Sequence, residues 1–556
     1  MSPSSPPPAS GYGRIVRSAG VVSIAVALSR ITGLVRDMVF ARFFGAGMIY
    51  DAFLAAFRIP NLLRDLLAEG ALSSAFVTTF SQYIATKGDR EAFRLSNLVT
   101  SLLAPAVAFL CLLGVLFAPP LVDLMFPGFA AIPGKRDLTI LLTRIMMPFL
   151  FFIALAAKSM GVLHAKGVFG IPNLASAFFN LGSIATGLLV GFGLGPSLGF
   201  DPIVGMAIGT LVGGALQYFV QWPSLRRVGL RYQPELSFTD PGVRQIFRLM
   251  GPAVVGTAAV QINVVINSKF ASEILDATGQ VANGPVSWLG FAFRLMQLPI
   301  GLFGVAIASA TSPAISTSAA TQDMAEFRST LSSSLGLVFL LCFPSAVGLS
   351  LLAEPIVGVL FERGRFTSYD THQTALALAG YAFGLTGYAA IKVLTPAFYA
   401  LNDVRVPAGA SIASIASNYL LNWTFLRVLH LGHAGLAFST SLVATINFLV
   451  LILFLRRKIR RLEGRRLLRS FSRVFIASLC MGASCAVSSQ LVRQTLGVSS
   501  LARLADLAIS IPLGLAALYF TCRALRVEEL DLALQAILGR ARAIIVRNAS
   551  GCRSRP

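Results

Sequence analysis

Acidic side chains are scarce in this chain: 24 Asp and Glu stand against 46 Lys and Arg, a net charge of +22 over 556 residues. Charge of either sign is sparse too, at 13% of residues, where a soluble domain carries about a quarter. Histidine occurs four times (His164, His372, His430, His433), and the one close pair, His430 and His433, has no carboxylate or cysteine set beside it, which argues against a metal centre. The six cysteines (Cys111, Cys342, Cys480, Cys485, Cys522, Cys552) show no CxxC and no secreted framework spacing, so no disulfide is expected. No Walker loop, GxSxG elbow or Asp-rich magnesium motif occurs, which leaves ATP coupling and metal-assisted phosphoryl chemistry without residues to carry them.

Apolar residues are what the chain has in abundance, 55% with a mean hydropathy of +0.74. A bilayer core about 30 Å thick takes about 20 helical residues per crossing, so spans rather than globular cores are the unit to count. Fourteen runs bounded by Pro, Gly or charge are expected to cross, at about 15–42, 49–84 (long and broken), 93–118, 138–163, 172–192, 202–222 and 244–272, then 286–317, 327–352, 374–401, 406–427, 433–455, 471–492 and 502–524. With the N-terminus inside, the cytoplasmic segments hold roughly 25 Lys and Arg and the outer loops roughly 8, which places both termini in the cytoplasm. The basic excess is thus explained by topology, and no basic domain is left over to bind nucleic acid. The stretch 456–473, RRKIRRLEGRRLLRSFSR, reads as a topology signal that also touches anionic lipid. Residues 1–14 read as a disordered cytoplasmic leader, and the first span as a retained anchor rather than a cleaved signal.

The chain also repeats itself at an offset of about 235 residues. Phe57-Arg58 pairs with Phe293-Arg294, Phe93-Arg94 with Phe327-Arg328, Lys158 with Lys392, and LFAPPLVDLMFPG (116–128) with LLAEPIVGVLFERG (351–364). Six spans lie between equivalent points, an even number, so the halves enter the membrane in the same direction as a parallel repeat. The expected fold is an all-α polytopic protein: an N-lobe at 15–222, a cytoplasmic linker at 223–243, a C-lobe at 244–455, a basic loop at 456–470, two extra helices at 471–524 and a basic tail at 525–556. A central cavity between two such lobes is the usual place for a transported substrate.

The first two spans carry more charge than lipid-facing helices tolerate, since a charge near the bilayer centre costs about 2.5–3.5 kcal/mol on the gentler scales. Span one contains Arg30, Arg36 and Asp37, with Arg30 and Asp37 two turns apart on one face. Arg42, near the span end, is expected to snorkel, as are Lys158 and Lys392. Span two sets Asp51, Arg58, Asn61, Asp65 and Glu69 along a stripe at helical period, with Arg64 beside it and Pro60 offering a kink. Arg294 in VSWLGFAFRLMQLPIG has no carboxylate nearby in its own span and is a candidate ligand. Arginine suits a phosphate because its planar fork donates paired hydrogen bonds and keeps its charge. A purely structural Asp–Arg network, and for Arg294 a backbone-capping role, remain open on these grounds.

SRITGLVRDMVFARFFGAG, DAFLAAFRIPNLLRDLLAEGALSSAFV, GPAVVG, VSWLGFAFRLMQLPIGLFGVAIAS and KVLTPAFYALNDVRVP together closely resemble the MviN/MurJ family of lipid II flippases, over about residues 15–525. The resemblance implies the multidrug/oligosaccharidyl-lipid/polysaccharide exporter fold, with spans thirteen and fourteen forming a groove for the lipid tail. It implies substrate-binding roles for Arg30, Arg36, Arg64, Arg294, Asn61 and Ser287, and a cavity charge network that takes in Asp37 and Asp51. Phe293 and Gln297 depart from the pattern by standing where some members carry acidic residues. The activity implied is movement of undecaprenyl-diphosphate-linked peptidoglycan precursor across the bacterial inner membrane, with no bond made or broken. On the charge of the spans and the missing motifs, no cofactor is expected and coupling is expected to membrane potential or a monovalent ion. Lipid II, membrane lipids and cell-wall synthesis proteins are the expected partners of a monomer. A flippase for another polyprenyl-diphosphate oligosaccharide is the alternative from the same fold. A multidrug antiporter or a membrane scaffold explains the arginines less well.

Overall fold

The computed structural model describes residues 11–66, 72–459 and 464–535. Its regular structure is helical, apart from one isolated antiparallel bridge between Leu275 and Val281. The chain divides into two compact units, one of residues 1–287 with 363–366 and the other of residues 288–362 with 367–556.

The first unit runs α1 (Gly11–Phe44), α2 (Met48–Leu63), α3 (Ser73–Leu116), α4 (Ala118–Met125), α5 (Lys135–Met146), α6 (Phe149–Ala165), α7 (Gly170–Leu188), α8 (Gly195–Leu198), α9 (Pro202–Phe219), α10 (Trp222–Arg227) and α11 (Pro241–Ser272). Gly88, at φ +81°, breaks α3 into two rods, which is the interruption the sequence placed between spans two and three. Gly205, Gly209 and Gly213 recur every fourth residue on α9 and let it lie backbone to backbone on α7 and on the π turn Leu189–Leu194 that follows it. A Cβ on Gly205 would sit 2.2 Å from the Gly191 backbone, and one on Gly209 2.5 Å from the Ser183 carbonyl oxygen.

An apolar core of Phe76, Phe80, Leu95, Leu98, Val162 and Leu163 joins α3 and α6 to Val243 and Ile246 of α11. That packing joins the seventh expected span to the compact unit that holds the first six, and this unit runs to Ser287. Asp240 caps α11 through the Gly242 amide at 2.8 Å, and Pro241 supplies the first helical turn.

The second unit holds α12 (Pro285–Pro299) from Trp288 onward, then α13 (Val305–Ala320), α14 (Met324–Leu351), α15 (Ala353–Phe361), α16 (Ser368–Phe383), α17 (Leu385–Ala400), α18 (Arg405–Trp423), α19 (Gly432–Lys458), α20 (Gly464–Leu496) and α21 (Ser500–Ala524). Thr367 and Asp370 form a reciprocal capping box at the start of α16. The hairpin α20–α21 packs on α14 through Leu340, Val474, Ala477 and Cys522, and it is pinned to α15 by Arg493–Glu354 at 3.0 Å and Arg503–Glu362 at 2.5 Å.

Among the described residues, ten helical runs are long and apolar enough to cross a membrane by length and composition. The other four expected spans fall on α1, α2, α11 and α18. Helices also reach into segments expected to be loops: α19 continues to Lys458, α20 begins at Gly464, and residues 528–535 are helical. Most of the expected leader (1–10), part of the basic loop (460–463) and most of the tail (536–556) lie outside the described residues.

The repeat is visible in local backbone geometry. α4 and α15 are equivalent short helices, and the break before Phe149 answers the break at Gly384. Wide π turns recur at the same offset: residues 64–66 answer Ile300–Gly304, and Leu189–Leu194 answer Thr424–Val428.

Candidate functional site

Arg36 is buried on α1, with its guanidinium carbon 5.5 Å from the centre of the Phe179 ring of α7 and Nη2 3.3 Å from Asp37 Oδ1. Phe179 is itself backed by Phe149 at 5.5 Å, whose ring meets the tilted Phe57 ring at 5.4 Å, so the cation rests on an aromatic cluster built from three helices. Arg30 lies two turns earlier on α1 and is exposed. Between the two arginines, Thr32 Oγ1 bonds back to the Leu28 and Ser29 carbonyls, both at 3.0 Å. Asn180 of α7 donates to the Ser29 carbonyl and to Thr32 Oγ1, both at 3.2 Å.

On α2, Asn61 Nδ2 lies 3.5 Å from Asp65 Oδ2, and Arg64 grips Asp65 Oδ1 through Nε at 3.2 Å and Nη2 at 2.9 Å. Arg64 and Asp65 are half-buried and sit where the helix widens into a π turn after Pro60, a geometry often found at functional sites. Arg58 is also half-buried. Glu69, the last member of the expected stripe, lies outside the described residues.

Asp51 leads a different arrangement. It is 0% exposed and accepts four hydrogen bonds: Lys135 Nζ at 2.8 Å, the Gly284 amide at 2.8 Å, the Ser287 amide at 2.8 Å and Ser287 Oγ at 2.6 Å. Lys135, also 0% exposed, donates a further bond to Asn283 Oδ1 at 3.1 Å and lies 4.3 Å above the Phe129 ring. The carboxylate and ammonium are taken out of water together, with nearly every remaining valence filled. The loop that delivers Asn283 and Gly284 is itself tied by Asp276, which accepts from the Thr278 hydroxyl at 2.6 Å and the Thr278 and Gln280 amides. Those donors, the hydroxyl foremost, hold the Asp276 carboxyl below the usual carboxylate range. Ser287, expected among the substrate-binding residues, is fully buried here and commits both its amide and its hydroxyl to Asp51.

Arg294 is half-buried on α12 in the second unit, beside Phe293, whose ring meets Tyr381 at 5.3 Å. One expectation is corrected. Lys158 does not snorkel: it is 4% exposed, with Nζ 2.5 Å from Ser96 Oγ and 5.7 Å from the centre of the Phe76 ring. Ser96 on α3 offers an acceptor inside the helix pair, so the side chain turns inward rather than toward the membrane surface. Its repeat counterpart, Lys392, is exposed. His433 is buried against the Gln373 carbonyl oxygen at 2.9 Å, and among the described residues no group of three His, Cys, Asp or Glu could hold a metal ion.

The profile of the lipid II flippase MurJ family matches residues 40–505. The chain belongs to this family. A lipid II flippase MurJ from Burkholderia cenocepacia is 36% identical over 448 residues, covering 80% of this chain and 84% of the relative. A probable lipid II flippase MurJ from Bdellovibrio bacteriovorus is 34% identical over 487 residues, covering 87% and 90%. Among solved structures, a lipid II flippase MurJ in an inward closed conformation superposes with a TM-score of 0.73 at 27% identity, covering 91% of this chain and 99% of that one. An inward-facing multidrug resistance MATE transporter of the MOP superfamily aligns at a TM-score of 0.60 and 16% identity over 80% of this chain and 95% of its own, a likeness of fold alone.

The sequence leaves little trace of the residues that surround these groups: Lys135 and Asn283 beside Asp51, Phe179 under Arg36, and Asn180 against the turn at Thr32. Lys135 opens α5 in a GKRD turn that reads as loop, and no local pattern ties it to a carboxylate 84 residues earlier. Phe179 and Asn180 lie in an ordinary apolar run, although an Asn at the middle of a span is a signal that could have been followed.

Proposed function

We propose that this chain flips undecaprenyl-diphosphate-linked peptidoglycan precursor, lipid II, from the inner to the outer leaflet of the bacterial cytoplasmic membrane. Membership of the lipid II flippase MurJ family carries the proposal. The precursor's diphosphate is bound by Arg30, Arg36, Arg64 and Arg294, with Asn61 beside them, while the isoprenoid tail stays in lipid. Access alternates between the two faces, and no covalent bond is made or broken. Both termini lie in the cytoplasm, and the chain works as a monomer that meets cell-wall synthesis proteins through its substrate.

The charge of the site suggests how the cycle is powered. An inside-negative potential is worth about 2.3 kcal/mol per charge per 100 mV, which opposes inward return of an anion and draws an empty cationic site back toward the cytoplasm. The coupling is to potential or to a monovalent ion.

Complementation of a flippase-depleted cell tests the proposal, scored by labelled precursor reaching the outer leaflet. Wild-type chain should restore labelling, and Arg30→Ala or Arg294→Ala, inserted at equal level, should not. Restored labelling by both arginine variants would remove the diphosphate role. Failure of the wild type despite correct insertion would favour another polyprenyl-diphosphate oligosaccharide as substrate.

A further inference from the structure

The two arginines of α1 are separated by a turn that the helix does not hold firmly by itself. Thr32 draws its hydroxyl back onto the Leu28 and Ser29 carbonyls, a pattern that loosens and bends helices, and Gly33 follows directly. Arg30 lies at the start of this turn and Arg36 beyond it. Any bend there changes the spacing and rotation of one guanidinium relative to the other.

α7 braces this turn from outside. Asn180, 6% exposed, spends its amide protons on the Ser29 carbonyl and on Thr32 Oγ1, the two acceptors that a bend would move. The preceding residue, Phe179, carries Arg36 on its ring face. Adjacent residues of one helix thus fix both ends: Asn180 the turn after Arg30, Phe179 the guanidinium of Arg36. α7 is stiffened in turn by its glycine-lined contact with α9.

We infer that Asn180 is a positioning residue that sets the spacing of Arg30 and Arg36 to a pair of linked phosphates, and so selects a diphosphate over a monophosphate headgroup. This rests on the proposed role of those arginines. One phosphate can be held by either guanidinium alone, whereas two linked phosphates need both at a fixed separation, so loosening the turn costs the diphosphate more. A residue that only supported folding would weaken both ligands alike.

The test measures binding of geranylgeranyl diphosphate and geranylgeranyl monophosphate to the full chain purified in detergent. Asn180→Ala should lower the ratio of diphosphate to monophosphate affinity about tenfold, the scale of two lost buried hydrogen bonds. Thr32→Val, which removes one of the two acceptors, should lower it about threefold to fivefold, and Thr32→Ser, which keeps the oxygen, should retain the wild-type ratio. If Asn180→Ala does not fold, the two Thr32 variants decide. An unchanged ratio in Asn180→Ala and Thr32→Val, with Arg30→Ala and Arg36→Ala losing the diphosphate preference, overturns the positioning role and leaves the proposed function standing. An unchanged ratio in the arginine variants themselves overturns the binding role on which the inference rests.

Discussion

Replacing Asp51 with asparagine removes the charge at the centre of the most completely buried ionic group described. The carboxylate accepts from an ammonium, two backbone amides and a hydroxyl, all between 2.6 and 2.8 Å. An asparagine of the same shape keeps one acceptor oxygen but turns an NH2 toward donors, and it leaves the fully buried Lys135 uncompensated. Breaking a buried pair from one side costs about 3–5 kcal/mol. For a unit of this size that corresponds to a fall in melting temperature of roughly 5–10 °C. Lys135→Met should cost less, about 2–3 kcal/mol, because three donors still face the carboxylate. The double variant buries no charge, so its loss should fall short of the sum of the single losses by about 2 kcal/mol or more. Thermal unfolding in detergent, followed with a dye that reacts with exposed thiols, reads this when Cys111, buried in the same unit, is the one cysteine kept and the others, the exposed Cys480 included, are replaced by serine or alanine. Asp51→Asn melting within a degree of wild type, or strictly additive single losses, would refute the reasoning.

Three further outcomes follow from the packing. Lys158→Met keeps the volume and removes a buried ammonium whose described partners are a serine hydroxyl and a ring face, so the melting temperature should hold or rise; a clear fall would show that the charge is needed there. Gly205→Ala forces α9 away from the π turn at Leu189–Leu194, where a Cβ has only 2.2 Å to the Gly191 backbone, and should cost about 2 kcal/mol or more in the same melt, with Gly251→Ala, which has open space, as the control. Glu354→Gln should change stability by less than about 0.5 kcal/mol because its pair with Arg493 is largely exposed, while Glu362→Gln should cost about 1–2 kcal/mol because its pair with Arg503 is mostly buried and its carboxylate also takes the Thr371 hydroxyl.

The helical class, the duplication and the arginines of the first two spans were legible because each leaves a mark within one segment: an apolar run, a repeated dipeptide, a charge where lipid should be. The expected stripe from Asp51 to Glu69 shows where such reading stops. Periodicity placed Asp51 and Asp65 on one helix face, and yet Asp51 turns to Lys135 and Ser287 while Asp65 is held by Arg64 and Asn61. Helical spacing fixes a direction around an axis and says nothing of what another helix presents there. Lys158 and Lys392 make the same point, since equivalent positions in the repeat give one buried side chain and one exposed one. Lys158 turns inward because Ser96 is there to receive it, a fact held by a different helix.

The paired π turns bear on the history of the chain. A π turn closes its hydrogen bond one residue further along than an α turn, so each one stores a single extra residue within an otherwise regular helix. Had such residues been added after the two halves separated, they would fall at unrelated places. Residues 64–66 answer Ile300–Gly304, and Leu189–Leu194 answer Thr424–Val428. The simplest order of events puts both insertions in a single six-helix ancestor, before its gene was copied and joined end to end.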